Sequence, residues 1–268
     1  MGDQKDRAIG VFDSGIGGLT VTRALMERLP FENIIYFGDT ARVPYGIKSV
    51  ETINRYALQI AEFLLKKDVK LLIVACNTMA AVACQAIRDL SSVPVLEVIG
   101  AGAANAVAAT RTKTIGVIGT PATVNSNAYA RAIHLLDPDA RVVSQACPLF
   151  VPHVEEGWLD HESTRLVALE YLKPVMAEQI DTLVLGCTHY PLIKGLLSDI
   201  VGPSVRLIDS AEAMARIAAE LIHRENMGNA GRQPPDYLFY VSDVPYRFQA
   251  IGERFLGRTL SRVETVRL

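Results

Sequence analysis

Short apolar runs and amphipathic stretches alternate along the chain. Ala8 to Phe12 predicts a strand, and helical spacing follows from about Gly17 to Leu29. Asn33 to Phe37 predicts a second strand. Between Val50 and Lys66, the residues Ile53, Ala57, Ile60, Ala61 and Leu64 form one apolar stripe at helical periodicity. Leu71 to Ala75 is continuously apolar and short, as in a parallel strand buried on both faces, and a small-residue helix is expected around Ala80 to Leu90. Strands separated by helices predict βαβ units and a mainly parallel sheet.

The pattern then restarts. Ile9-Gly10-Val11 is echoed 106 residues later by Ile115-Gly116-Val117, and the run from Leu72 to Thr78 is echoed by Leu183 to His189, which sets Cys187 111 positions after Cys76. Two echoes at nearly one offset point to internal duplication, with chance likeness of strand ends as the competing explanation. The expected architecture is α/β: two pseudo-symmetric lobes, each a mainly parallel sheet flanked by helices, with the active site in the cleft between them. Beyond Ser210 come a helix (Ala211 to His223), a polar stretch with Gly228, Gly231, Pro234 and Pro235, a strand (Tyr237 to Val241) and a helix near Tyr246 to Leu256. This exceeds what a second copy needs and is expected to return to the first lobe. The expected division is therefore 1–98 plus 210–268 against 99–209.

Composition narrows the function classes. A chain of 268 residues, half of them hydrophobic, can bury two cores, and a net charge of −2 does not suit nucleic acid or a charged membrane surface as main partner. The N-terminus lacks the apolar stretch of a secretory signal, and Val93 to Ala109 is interrupted by Pro94, Glu97 and Asn105, so a membrane span is not expected. A cytoplasmic location follows as an expectation. The four cysteines (Cys76, Cys84, Cys147, Cys187) lie far apart, without zinc-ribbon pairs, and should be thiols in a reducing compartment.

Two of these thiols stand where open parallel sheets bind ligands, beyond the carboxyl ends of strands. Cys76 follows Leu71 to Ala75, and Cys187 follows Leu183 to Gly186. A helix N-terminus just downstream would favour thiolate. A lone cysteine is usually inert packing, but two at matching positions of a duplicated unit suggest a shared site. Cys84 and Cys147 lack the placement and read as packing residues. Two facing thiols suit inversion of a stereocentre, in which one group removes a proton and another supplies one on the opposite face. A thiol's ordinary pKa lies near neutral pH.

The neighbours fit an amino-acid ligand. Asn77, Thr78 and Thr188 offer donors for carboxylate oxygens, and His189 could tune the proton of Cys187. Asp13 could polarise a thiol or hold an ammonium and Ser14 could bind a carboxylate, although a helix N-cap or turn explains this pair nearly as well. Thr40 and Pro44-Tyr45-Gly46 read as a simple turn. Thr120 is the symmetry counterpart of the Asp13 region. Gly15-Ile16-Gly17-Gly18 fails as a dinucleotide fingerprint because Thr20 occupies the third glycine position. Gly252 to Thr259 is one residue short of a phosphate loop, with Arg258 where lysine is required. His153, Glu155, Glu156, Asp160 and His161 read as a solvated acidic loop and not as a metal site, although Glu155 could reach the cleft. No lysine has an obvious pyridoxal phosphate context.

Val11 to Leu19, Gly38-Asp39-Thr40 with Pro44-Tyr45-Gly46, Ala75-Cys76-Asn77-Thr78, and Leu185 to Leu192 together resemble the glutamate branch of the aspartate/glutamate racemase family, the cofactor-independent two-cysteine racemases. The resemblance covers most of the chain in the family's order. It implies a two-lobed α/β fold, neither pyridoxal phosphate nor metal, supply of D-glutamate for peptidoglycan, and a homodimer. It makes Cys76 and Cys187 the proton donor/acceptors, with Cys76 as base toward D-glutamate and Cys187 toward L-glutamate. Asp13, Glu155 and His189 become assisting groups, with Asp13 also among the substrate-binding residues. Ser14, Tyr45, Gly46, Asn77, Thr78, Thr120, Thr188 and His189 line the substrate, and Glu155 matches within a less distinctive segment. Some members carry an N-terminal extension linked to activation by a cell-wall precursor, which is not expected here. The rivals are a racemase of aspartate or another amino acid, and a non-catalytic two-lobed amino-acid-binding module.

Overall fold

The computed structural model describes residues 4–231 and 233–268; Met1 to Asp3, part of the segment read above as no secretory signal, lie outside them. The chain runs β1 (Ile9–Asp13), α1 (Leu19–Arg28), β2 (Ile34–Gly38), α2 (Val50–Leu65), β3 (Leu71–Val74), α3 (Asn77–Leu90) and β4 (Val95–Glu97). It continues with α4 (Val98–Ala109), β5 (Thr114–Gly119), α5 (Pro121–Asn125), α6 (Ala128–Leu136), β6 (Arg141–Ala146), α7 (Phe150–Glu155), α8 (Glu162–Ala177), β7 (Thr182–Gly186), α9 (Lys194–Val201) and β8 (Arg206–Asp209). It closes with α10 (Ser210–Arg224), β9 (Tyr237–Val241), α11 (Pro245–Leu256) and β10 (Val263–Thr265).

Two parallel sheets result, in the orders β10-β9-β2-β1-β3-β4 and β6-β5-β7-β8. Setting aside β9 and β10, the orders match strand for strand. The register matches too: Phe12 pairs with Val74 in one sheet, and Ile118 with Leu185 in the other. The central strands β1, β3 and β7 are buried along their whole length, as their unbroken apolar runs require. The stripe on α2 is buried at all five expected positions. The chain passes from the first sheet to the second between β4 and β5, and returns between β8 and β9. Helix α4 packs on α6, β7 and β8, while α10 packs on α1 and against α4. The C-terminal segment adds β9 to the β2 edge, in register from Ile34↔Tyr237 to Gly38↔Val241.

Some boundaries differ from the sequence expectation. Helix α1 begins at Leu19 and not Gly17, because Gly15 to Gly18 form the turn. Helix α3 begins at Asn77, three residues earlier than expected, with Cys76 as its N-cap in an extended conformation. Its polar first turn hid the start. After Cys187 no α-helix follows directly. A 3₁₀ turn at Tyr190–Ile193 intervenes, with Pro191 in its first turn, and α9 starts at Lys194. No helix among the described residues is long and apolar enough to cross a membrane.

At the end of the first sheet away from the cysteines, Lys70 is fully buried. Its Nζ lies 2.5 Å from Glu32 Oε2 and donates to the carbonyls of Lys5 (2.7 Å) and Met227 (2.9 Å), while Glu32 Oε1 accepts from the Asn229 amide (2.9 Å). The ion pair, with the contacts to Met227 and Asn229, ties the segment after α10 to the first lobe. Removing one partner strands a buried charge, which costs about 3–5 kcal/mol. Lys70→Met is therefore expected to lower unfolding free energy by that amount in urea titration, and Lys70→Met/Glu32→Leu to recover more than half of it. A single-variant loss below about 1 kcal/mol would contradict a stabilising buried ion pair.

Candidate active site

The two sheets point their carboxyl ends at one another. Cys76 and Cys187, 5 % and 6 % exposed, enter one cavity of about 420 Å³ between them. The wall also contains Ser14, Tyr45, Gly46, Asn77, Thr78, Thr120, Glu155, Thr188 and His189. Every expected site residue but one thus meets at one place. The exception, Asp13, is 1 % exposed and stands just behind Ser14 and Cys76. Thr40 turns away and exchanges hydrogen bonds with Asp243. All four cysteines are free, and neither Cys84 nor Cys147 lines the cavity.

The two thiols have different company. The Cys76 thiol donates to Ser14 Oγ at 3.5 Å. Asp13 Oδ2 accepts from the Gly15 amide at 3.1 Å, while Oδ1 is buried without a partner. Burial, then the nearby Asp13 carboxylate, push the Cys76 thiol up to about 12. Burial also raises Asp13, with the charge of His189 and backbone amides working against it. Cys187 Sγ lies 3.8 Å from His189 Nδ1, and His189 Nε2 lies 3.1 Å from Glu155 Oε1. Burial opposes protonation of His189, but the bonds to Cys187 and Glu155 outweigh it and raise the imidazole well above its ordinary value. The Phe255 ring packs edge-on against His189, with centroids 5.2 Å apart.

Glu155 reaches this position because the segment expected as a solvated acidic loop is a helix up to that point. Helix α7 ends on Glu155 and turns it toward the second lobe's thiol. His153 bonds Thr164 and His161 caps α8, so both imidazoles serve local structure. Pro44-Tyr45-Gly46 is also more than a turn. Tyr45 begins a 3₁₀ helix, and its hydroxyl donates to the fully buried Asp39. Asp39 also accepts from Arg42 Nε (2.7 Å) and Ser242 Oγ (2.7 Å), which ties the loop to the end of β9. Gly46 meets the opposite lobe so closely that a Cβ there would lie 2.9 Å from Thr120 Cβ.

Hydroxyl and amide groups complete the wall. Thr78 Oγ1 lies 2.9 Å from Thr120 Oγ1, and Thr120 lies 3.0 Å from Thr123 Oγ1, so the hydroxyls of both lobes meet. Asn77 Oδ1 accepts from Tyr129 at 2.7 Å. Asp39, Thr123 and Tyr129 were not among the expected residues. Asp39 stood inside a quoted motif without a role, whereas Tyr129, an aromatic residue on an amphipathic helix, reads locally as core. Val43, Pro44 and Ile47 from one lobe and Pro121, Pro148, Val151 and Pro152 from the other make the remaining wall apolar.

A pair of like α/β lobes with a thiol at the equivalent strand end of each, and hydroxyl and amide groups between, defines an acid/base enzyme able to address both faces of a small carbon acid. The chain belongs to the Asp/Glu/hydantoin racemase family, which it matches over residues 9–218. It is 71 % identical over 260 residues to a glutamate racemase of Syntrophus aciditrophicus, covering 97 % of this chain and 96 % of that one. Among solved structures it resembles the glutamate racemase of Francisella tularensis in complex with D-glutamate, with 44 % identity, TM-score 0.93 and 98 % of both chains covered. A glutamate racemase isoform of Bacillus anthracis gives 39 % identity and TM-score 0.95, again over 98 % of each chain.

Burial and the Asp13 carboxylate hold Cys76 in the free protein as the thiol. Iodoacetamide should therefore modify Cys76 far more slowly than an unperturbed thiol, as read by peptide mass spectrometry. Asp13→Asn removes the neighbouring negative charge and should accelerate the modification several-fold. Modification of wild-type Cys76 at the rate of free cysteine, or no acceleration in the variant, would contradict this electrostatic account.

Proposed function

We propose that the protein interconverts L- and D-glutamate by two-base proton transfer at the α-carbon. The observation that carries this reading is the entry of Cys76 and Cys187, from equivalent strand ends of two like lobes, into one cavity. Likeness to racemases of glutamate, one of them bound to D-glutamate, supports the substrate. Toward D-glutamate formation, Cys187 as thiolate removes the α-proton and Cys76 as thiol delivers one to the opposite face. The reverse direction exchanges their roles. His189, held by Glu155, accompanies the proton at Cys187, and Asp13 with Ser14 accompanies the proton at Cys76. Asn77, Thr78, Thr120 and Thr188 provide donors for one carboxylate, and Ser14, Tyr45 and Gly46 form the wall for the other. No pyridoxal phosphate or metal enters this mechanism. We further read residues 1–98 with 210–268 as one unit and 99–209 as the other, in a cytoplasmic homodimer that supplies D-glutamate for peptidoglycan.

The test is polarimetry on purified protein with L-glutamate, chelator present and no cofactor added. Turnover is expected, with glutamate far preferred over aspartate or alanine and with α-deuterium in product formed in heavy water. Comparable kcat/KM for aspartate would overturn the substrate but spare the chemistry. Cys76→Ala and Cys187→Ala should each lower kcat in both directions by about 10²–10⁴-fold or more, while Cys84→Ala and Cys147→Ala leave it largely intact. Near wild-type turnover in either active-site variant would refute the two-base mechanism.

A further inference from the structure

Asn77 opens α3 with its side chain in the cavity wall, yet only half of its amide is engaged. Its Oδ1 accepts the Tyr129 hydroxyl at 2.7 Å, while its Nδ2 is buried without a partner in a residue only 2 % exposed. An open buried donor is costly unless a ligand fills it. The phenol comes from α6, in the lobe opposite to that of Asn77. Ser210, at the start of α10, stands behind the phenol and lowers its proton affinity against the larger effect of burial. The single phenolic O–H is directed at Asn77. The ring has a fitted slot as well: a Cβ at Gly102 would lie 3.1 Å from the ring, and one at Gly186 would lie 3.0 Å from it. Gly186 ends β7 and immediately precedes Cys187.

We infer that Tyr129 is a positioning residue for the racemisation, acting across the cleft to lock the Asn77 amide with Nδ2 toward the substrate's carboxylate. The inference rests on the function proposed above. An asparagine amide has two orientations of almost equal shape, and in the wrong one its oxygen faces the carboxylate. A phenol that donates, as Tyr129 does, selects the amide oxygen and so leaves the nitrogen for the ligand. Tyr129 itself does not line the cavity, so its influence passes through Asn77. The carboxylate is negatively charged in both enantiomers, so a misoriented amide weakens the binding of each.

The experiment compares L- and D-glutamate kinetics of the wild type, Tyr129→Phe, Asn77→Ala and the double variant, with thermal midpoints recorded alongside. Tyr129→Phe keeps the ring in its slot and should raise KM for both enantiomers about 10-fold. In the Asn77→Ala background the same change should add nothing to KM. Ser210→Ala, which leaves the ring untouched, should raise KM about threefold and likewise lose its effect without Asn77. This second variant decides the matter should Tyr129→Phe fail to fold. Unchanged KM in Tyr129→Phe or Ser210→Ala, or equal losses with and without Asn77, would overturn the positioning role while wild-type turnover leaves the functional reading standing. A wild type without glutamate turnover would overturn both.

Discussion

A methyl group at position 17 would stand 2.2 Å from Thr188 Oγ1 and 2.6 Å from His189 Nδ1, and the cleft depends on its absence. Only a residue without a side chain lets the turn after β1 lie directly on the Cys187-to-His189 turn of the other lobe. Thr20 strengthens that seam by donating to the Thr188 carbonyl at 3.1 Å. Gly46 against Thr120 forms the second seam. The cavity lies between the two, so the burial of both thiols, and with it the raised proton affinity of Cys76, follows from backbone meeting side chain at two glycines.

The duplicated architecture was legible because it is written in continuous apolar runs, and a strand buried on both faces has no other way to be encoded. Cys76 and Cys187 could be placed for the same reason: each directly follows such a run. The limits of legibility are equally physical. The start of α3 was missed because Asn77 and Thr78 serve at once as a helical first turn and as cavity wall. Glu155 was ambiguous because its position depends on a six-residue helix ending on it. Asp39 and Tyr129 depend on partners 203 and 52 residues away, Ser242 and Asn77, and no local spacing records such a pairing.

The segment after α10 has no counterpart in the duplication, and its contacts explain what it adds. Strand β9 covers the β2 edge, which would otherwise expose unpaired backbone groups. Ser242, just beyond β9, reaches Asp39 and so steadies the loop that carries Tyr45. Helix α11 then crosses toward the second lobe, where Phe255 packs on His189 and Arg254 approaches the carbonyls of Val154 and Glu155 at 3.4 Å. One late segment thus touches the Tyr45 loop of the cavity wall and the support of Cys187.

Duplication copied the positions of the thiols but not their surroundings: Cys76 is buried beside a carboxylic acid, and Cys187 beside an imidazole that is itself held by a carboxylate. The enantiomers of glutamate, by contrast, have equal free energy in water, so the equilibrium constant between them is fixed at unity by the substrate and not by the protein. The Haldane relation then requires kcat/KM to be the same in both directions, however unequal the two flanks are. The asymmetry can be expressed only as a compensated pair, in which the enantiomer held more tightly turns over more slowly in the same proportion. An uneven site built around a mirror-image reaction can thus redistribute affinity and speed between its two directions, but it cannot favour either product.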